Sequence, residues 1–133
     1  MKIIVAAALT ILTAAFSVAS QSAEVPYDPA HYEAMHNSGQ PFAVVFHADW
    51  CPTCRAQAPI LKELTQSPEF KGVTLFVADF DTEKVLERSL GVSKQSTIVV
   101  FRNGKETARS TGDTQQANLS EILRRAIPWE VRP

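Results

Sequence analysis

Only two cysteines stand in the 133 residues, Cys51 and Cys54, so no framework of disulfides staples this fold. A bridge between residues three apart closes too short a loop to restrict the unfolded chain much, which leaves reactivity as the better reason for the pair. Neither sign of charge dominates: 13 Lys and Arg stand against 14 Asp and Glu, for a formal net charge of -1. A balance so near zero sets up no field to draw nucleic acid or an anionic membrane surface. The basic residues occur singly or in pairs such as Arg124 and Arg125, as on a solvated surface. Internal repeats and low-complexity tracts are lacking, and no His or acidic group has metal-ligand spacing, so no metal site is expected. The length suits one small domain and leaves no room for a second core. With 45% hydrophobic and 20% charged residues, the composition is globular rather than disordered.

One long hydrophobic run is present, at the start. Lys2 carries a positive charge, and from Ile3 to Ala19 no residue is charged. Small polar residues follow at Ser20, Gln21 and Ser22. These are the parts of a secretory signal peptide, residues 1–22, with cleavage after Ser20 or Ser22 and a domain over 23–133. The competing reading is an uncleaved membrane anchor. The run sits at the lower edge of the roughly 17–25 residues needed to span a bilayer and is diluted by Thr10, Thr13 and Ser17, which favours cleavage. Either way the remainder faces an extracytoplasmic compartment, the periplasm or the exterior.

Asp28-Pro29 reads as an N-cap with proline in the first turn, opening a short helix over Ala30 to Asn37 that ends near Gly39. Ala43 to Phe46 is a continuous apolar run, the mark of a strand covered on both faces. A second helix follows, with Ile60, Leu61 and Leu64 on one face and Pro59 expected to kink it. Val73 to Ala78 reads as another buried strand. Asp81 or Thr82 is positioned to cap a helix with Val85, Leu86 and Leu90 on its apolar face, closed by Gly91. Thr97 to Phe101 is a third strand, and Asn103-Gly104 signals a hairpin to a fourth, Glu106 to Ser110. The last helix carries Leu119, Ile122, Leu123, Ala126 and Ile127 at amphipathic spacing. Alternation followed by a hairpin predicts an α/β fold: a mixed sheet of about four strands with helices on both faces.

Cys51 and Cys54 fall at the junction of the first buried strand and a helix. At a helix N-terminus, unpaired N–H groups and the macrodipole favour a thiolate on Cys51. Cys54 lies one turn on, within bonding reach. An exposed Cys51 is expected to attack a substrate disulfide, and Cys54 to resolve the mixed disulfide. Pro52 suits the first turn, where its missing N–H has no helical partner.

The segment Phe46-His47-Ala48-Asp49-Trp50-Cys51-Pro52-Thr53-Cys54-Arg55, with Pro59 after it, resembles the active-site segment of the thioredoxin superfamily. Leu90-Gly91-Val92 and Thr97-Ile98-Val99-Val100-Phe101-Arg102-Asn103-Gly104 are similar to that family's later strand and hairpin, and Gly112 to the glycine before its last helix. The resemblance covers the chain from about Ala30 onward. It implies the thioredoxin fold, Cys51 as nucleophile and Cys54 as resolving cysteine. It also implies that Trp50, Pro52, Thr53 and the loop Gln95-Ser96-Thr97 belong to the surface that receives an extended substrate.

Two departures stand out. Thioredoxins place a cis-proline before the threonine matching Thr97, and this chain has Ser96. A cis bond without proline costs about 2.5–4 kcal/mol, so the Gln95–Ser96 bond is expected to be trans. The serine hydroxyl then falls near the sulfurs, where it would either tune a thiolate or admit a ligand. Thioredoxins also bury an aspartate near a lysine on the next strand, and here the matching residues are Val45 and Val77. The paired loss leaves no unmatched buried charge. It also removes the family's usual proton acceptor for the resolving cysteine, for which Asp49, Ser96 or water are the candidate substitutes.

These features together predict a monomeric extracytoplasmic thiol–disulfide oxidoreductase exchanging with protein or small-molecule disulfides and thiols. It needs no cofactor, because the Cys51–Cys54 bond is the redox equivalent. We read it as a reductase, since the chain resembles thioredoxin and lacks an inserted helical domain; a reductase outside the cytoplasm needs an electron donor, such as a membrane-bound partner. The alternative is a copper chaperone holding Cu(I) on the same two sulfurs, against which stands the want of nearby His or Met ligands.

Overall fold

Phe42, Ala43, Val44, Val45 and Phe46 are all buried, so this strand has no solvent face and belongs at the middle of a sheet. The computed structural model describes residues 23–131 and places it there. The elements run β1 (Ala23–Pro26), α1 (Pro29–Ser38), β2 (Phe42–His47), α2 (Pro52–Gln66), a 3-10 turn (Pro68–Phe70), β3 (Thr74–Asp79), α3 (Lys84–Leu90), β4 (Thr97–Arg102), β5 (Lys105–Thr111), α4 (Gln116–Arg124) and a second 3-10 turn (Trp129–Val131). The signal peptide expected over residues 1–22 lies outside the described residues. Among those described, no helix is long and apolar enough to cross a membrane.

The sheet has order β1-β3-β2-β4-β5, with β1, β3 and β2 parallel and β4 and β5 antiparallel to their neighbours. Strand alternation divides the core in two. Ala43, Val45, Leu75, Ile98 and Val100 pack with α2 and α4 on one face. Phe42, Val44, Phe46, Phe76, Val99 and Phe101 pack with Tyr32 and Met35 of α1 and Leu86 of α3 on the other. Phe42 stacks on Phe101 at 4.7 Å between centroids, a pair that fixes β2 against β4.

The sheet has five strands where about four were expected. The extra one is β1, four residues long with Pro26 among them. So short a segment has no readable alternation, and it becomes a strand only by pairing along the edge of β3, where proline is tolerated. The helix expected to be capped by Asp81 or Thr82 instead begins at Lys84, behind Glu83, with no side-chain cap bond. Asp79 organises that turn, its carboxylate accepting from the Asp81 N–H at 2.8 Å and its carbonyl from the Glu83 N–H at 2.9 Å. Val85, placed on the apolar face by spacing, is 74% exposed; it follows the helix by about 100° from Leu86, which takes the core position. The last helix ends at Arg124, and Ala126 and Ile127 remain buried in tighter turns closed by N–H bonds to the residue three back. Trp129 is also mostly exposed, since the chain leaves the core after Pro128.

Candidate functional site

The polypeptide leaves β2 at His47 and turns into α2 through Ala48, Asp49 and Trp50. Cys51 is the N-cap of α2: its backbone is extended, and its sulfur accepts from the Cys54 N–H at 3.1 Å. The thiol therefore occupies the place that an Asp or Ser side chain usually fills, facing the free N–H groups of the first turn. Pro52, in that turn, gives up no bond. Cys54 follows one turn later, with Sγ 4.0 Å from the carbonyl oxygen of Phe46. Both thiols are free.

Ser96 completes the cluster. Its Oγ lies 3.0 Å from Cys54 Sγ and 3.3 Å from Cys51 Sγ. Its peptide bonds are trans, as are all those among the described residues, and its φ is 61°. That left-handed conformation costs a residue with a Cβ roughly 1–2 kcal/mol. Surrounding bonds impose it. The Ser96 N–H donates to the Phe46 carbonyl at 2.8 Å, and the Ser96 carbonyl accepts from the Gly112 N–H at 3.0 Å and the Gln57 amide at 3.4 Å.

The electrostatics separate the two cysteines. Burial opposes charge on Cys51, but hydrogen bonds from the Cys54 thiol, the Ser96 hydroxyl and the N–H groups of Cys54 and Thr53 outweigh it and hold the thiol below its ordinary range. Burial pushes the Cys54 thiol up, reinforced by its role as donor to Cys51 and only partly offset by Ser96. One sulfur is prepared as a thiolate and the other as its proton-bearing neighbour.

The expectation of an exposed Cys51 is corrected: it is only 1% exposed, as is Cys54. Capping draws its sulfur inward over the helix start, against Ala48, Cys54 and the ring of Phe80. The exposed members of the motif are Trp50 and Pro52, with Thr53 half-buried. Trp50 is held by its indole N–H, which donates to Asp81 Oδ2 at 2.8 Å. Gln95 is half-buried beside Ser96. The Thr97 hydroxyl turns to the chain itself, donating to the Lys94 carbonyl at 2.7 Å and lying 2.9 Å from the Thr111 hydroxyl. Asp49, one candidate proton acceptor, is fully exposed and pairs with His47 at 3.0 Å. Val45 and Val77 stand opposite each other in the β2–β3 ladder.

Two contributors escaped the sequence reading. Asp81 signals only a helix cap in the sequence, not a partner for Trp50. Gln57 does carry a signal, because Cys54, Gln57, Leu61 and Leu64 share one face of α2 and all four are buried. A polar residue on an apolar stripe asks for partners, and Gln57 finds them in the carbonyls of Ser96 and Asp113, the latter at 2.8 Å. Among the described residues, no three His, Cys, Asp or Glu side chains are grouped to hold a metal.

The family model described as Thioredoxin matches residues 24–125. A putative thioredoxin-5 of Dictyostelium discoideum is 32% identical over 102 residues, covering 77% of this chain and 96% of the relative. The thioredoxin of Chlamydia muridarum is 32% identical over 80 residues, 60% of this chain and 76% of its own length. Among solved structures, Trxlp from Edwardsiella tarda superposes with a TM-score of 0.73 at 38% identity, over 76% of this chain and 98% of that one.

Proposed function

The chain belongs to the thioredoxin family, and from that footing we propose that it is an exported dithiol which reduces protein disulfides outside the cytoplasm. It has the thioredoxin fold and is a thioredoxin-type thiol–disulfide oxidoreductase with a cysteine pair. The exchange chemistry is carried by one observation: the Cys51 sulfur caps α2 and takes a further bond from Ser96, next to a Cys54 thiol kept protonated; the reducing direction is read from the chain's likeness to thioredoxins. Cys51 attacks one sulfur of the substrate disulfide and releases the other as a thiolate. Cys54, once deprotonated, attacks Cys51, frees the second substrate thiolate and leaves the Cys51–Cys54 disulfide. An electron donor returns the pair to dithiol.

Export is supported by the charge-free run from Ile3 to Ala19 behind Lys2. Cell fractionation and N-terminal sequencing of the mature protein test it, with Gln21 or Ala23 expected as first residue. For the chemistry, the reduced chain is expected to reduce insulin disulfides, Cys51→Ser to abolish turnover, and Cys54→Ser to trap the mixed disulfide. Equilibration against glutathione sets direction: a potential below about -250 mV makes it a reductase, one near -120 mV an oxidase. Tight stoichiometric Cu(I) binding without exchange would replace the enzyme with a copper carrier.

A further inference from the structure

With valine at 45 and 77, the face of the sheet under the first turns of α2 holds a cavity of about 160 Å³. Val45, Val77, Leu75 and Leu61 supply apolar wall, and the Cys54 side chain reaches it. The volume admits several water molecules, and water stays in such a space only where polar groups hold it. Two ionisable side chains besides Cys54 line the cavity, Glu24 of β1 and His47 of β2. His47 is two positions from Val45 and so shares its face of the strand. Its ring, 24% exposed, also lines a second hollow of about 120 Å³ with Asp49 and Asp79. It thus borders both the space beside Cys54 and a passage to solvent.

We propose that His47 accepts the proton of Cys54 through water in this cavity, with Asp49 orienting the ring as a positioning residue. The inference rests on the exchange activity proposed above. In the mixed disulfide, the Cys54 Sγ–H bond breaks and its proton passes through cavity water to a ring nitrogen of His47. The electron pair left on sulfur forms the bond to Cys51 Sγ as the bond from Cys51 to the substrate sulfur breaks. That sulfur leaves with the bonding pair and is protonated from solvent, and His47 returns its proton to water.

His47 is favoured over Glu24 on two grounds. Its Nε2 lies 3.0 Å from Asp49 Oδ1, so the ring has a carboxylate partner to orient it, whereas Glu24 is an exposed residue of an edge strand. An imidazole also takes and returns protons at neutral pH, where a carboxylate is a much weaker base. The titratable groups that face the ring are Asp49 beside it, Asp79 opposite it on β3, and Glu24 and Cys54 across the cavity.

Ellman's reagent separates the two chemical steps in the full chain. A first equivalent of thionitrobenzoate reports attack by Cys51, and a second reports resolution by Cys54. His47→Gln is expected to slow the second phase at least tenfold at neutral pH and leave the first within about twofold. It should also erase the inflection of the second phase between about pH 5 and 8, and added imidazole should restore rate. Asp49→Asn is expected to slow the second phase about threefold and displace that inflection, which keeps the proposal exposed should His47→Gln fail to fold. A wild-type second phase and pH profile in either folded variant overturns the proposal, as does the loss appearing in Glu24→Gln instead. A wild-type chain that releases no thionitrobenzoate in either phase removes the oxidoreductase reading itself, and this inference with it.

Discussion

Ser96 Oγ lies 3.0 Å from Cys54 Sγ, so a hydroxyl of the loop before β4 stands within hydrogen-bonding reach of the second thiol of the pair. It bonds Cys51 Sγ as well, and in both cases it favours the thiolate. Ser96→Ala removes that support, so both thiols should titrate at higher pH. A hydrogen bond worth about 1 kcal/mol to the anion corresponds to about a fivefold smaller thiolate fraction on Cys51 at neutral pH. Thiolate absorbance at 240 nm, followed against pH in the reduced chain, measures it.

The same two shifts fix how the reduced fold responds to pH. Cys51 is depressed relative to the unfolded thiol, so it adds stability that is complete above the unfolded value and lost as pH falls through its own lower one. Cys54 is raised, so it withdraws stability as pH climbs from the unfolded value through its own higher one. Urea midpoints of the reduced chain should therefore rise on approaching the unfolded thiol's pKa from below, and Cys51→Ser should abolish that rise. A midpoint independent of pH across this window in the wild type contradicts the assignment.

Backbone strain at Ser96 gives a second, separable effect. Ala and Gly both lack the hydroxyl, but only Gly adopts a φ of 61° without a Cβ penalty. Ser96→Gly should thus be about 1 kcal/mol more stable than Ser96→Ala in urea titrations of the reduced protein. Equal midpoints for the two variants would mean that the loop relaxes once the hydroxyl is gone.

The parts of this molecule legible in the sequence are those fixed by neighbours in the chain. Ala43 to Phe46 declares a central strand, Gly39 and Gly91 close their helices in the left-handed conformation, and Asn103-Gly104 turns the hairpin with both residues at positive φ. The cysteine spacing announces the chemistry in the same way. What escaped depends on distant partners. β1 exists through β3, Asp81 is spent on Trp50, and Gln57 is buried because Ser96 and Asp113 offer carbonyls from elsewhere in the chain. The inward turn of the Cys51 sulfur joins its local cap of α2 to contact with Phe80, which only the fold brings near. The hydroxyl at 96 was readable as a neighbour of the sulfurs, but its positive φ was not, since nothing in Gln95-Ser96-Thr97 asks for one.

Val45 and Val77 give the last prediction, because they pair in register and border the same cavity. Val45→Asp places a carboxylate at a position only 4% exposed, with no cation opposite. The cost at neutral pH should be about 3 kcal/mol, the order found when a buried charge lacks its partner. Burial favours the protonated acid, so the folded carboxyl titrates above the unfolded one. The penalty is then smallest below the unfolded pKa and grows as pH rises through the window between the two values. Adding Val77→Lys supplies a cation from the adjacent strand and should recover part of the loss, giving a coupling energy of about 1–3 kcal/mol in a double-mutant cycle. Urea denaturation of the two single variants and the double variant at acid and neutral pH measures every term. Strict additivity at neutral pH would show that the introduced side chains reach solvent separately through the cavity instead of meeting inside it.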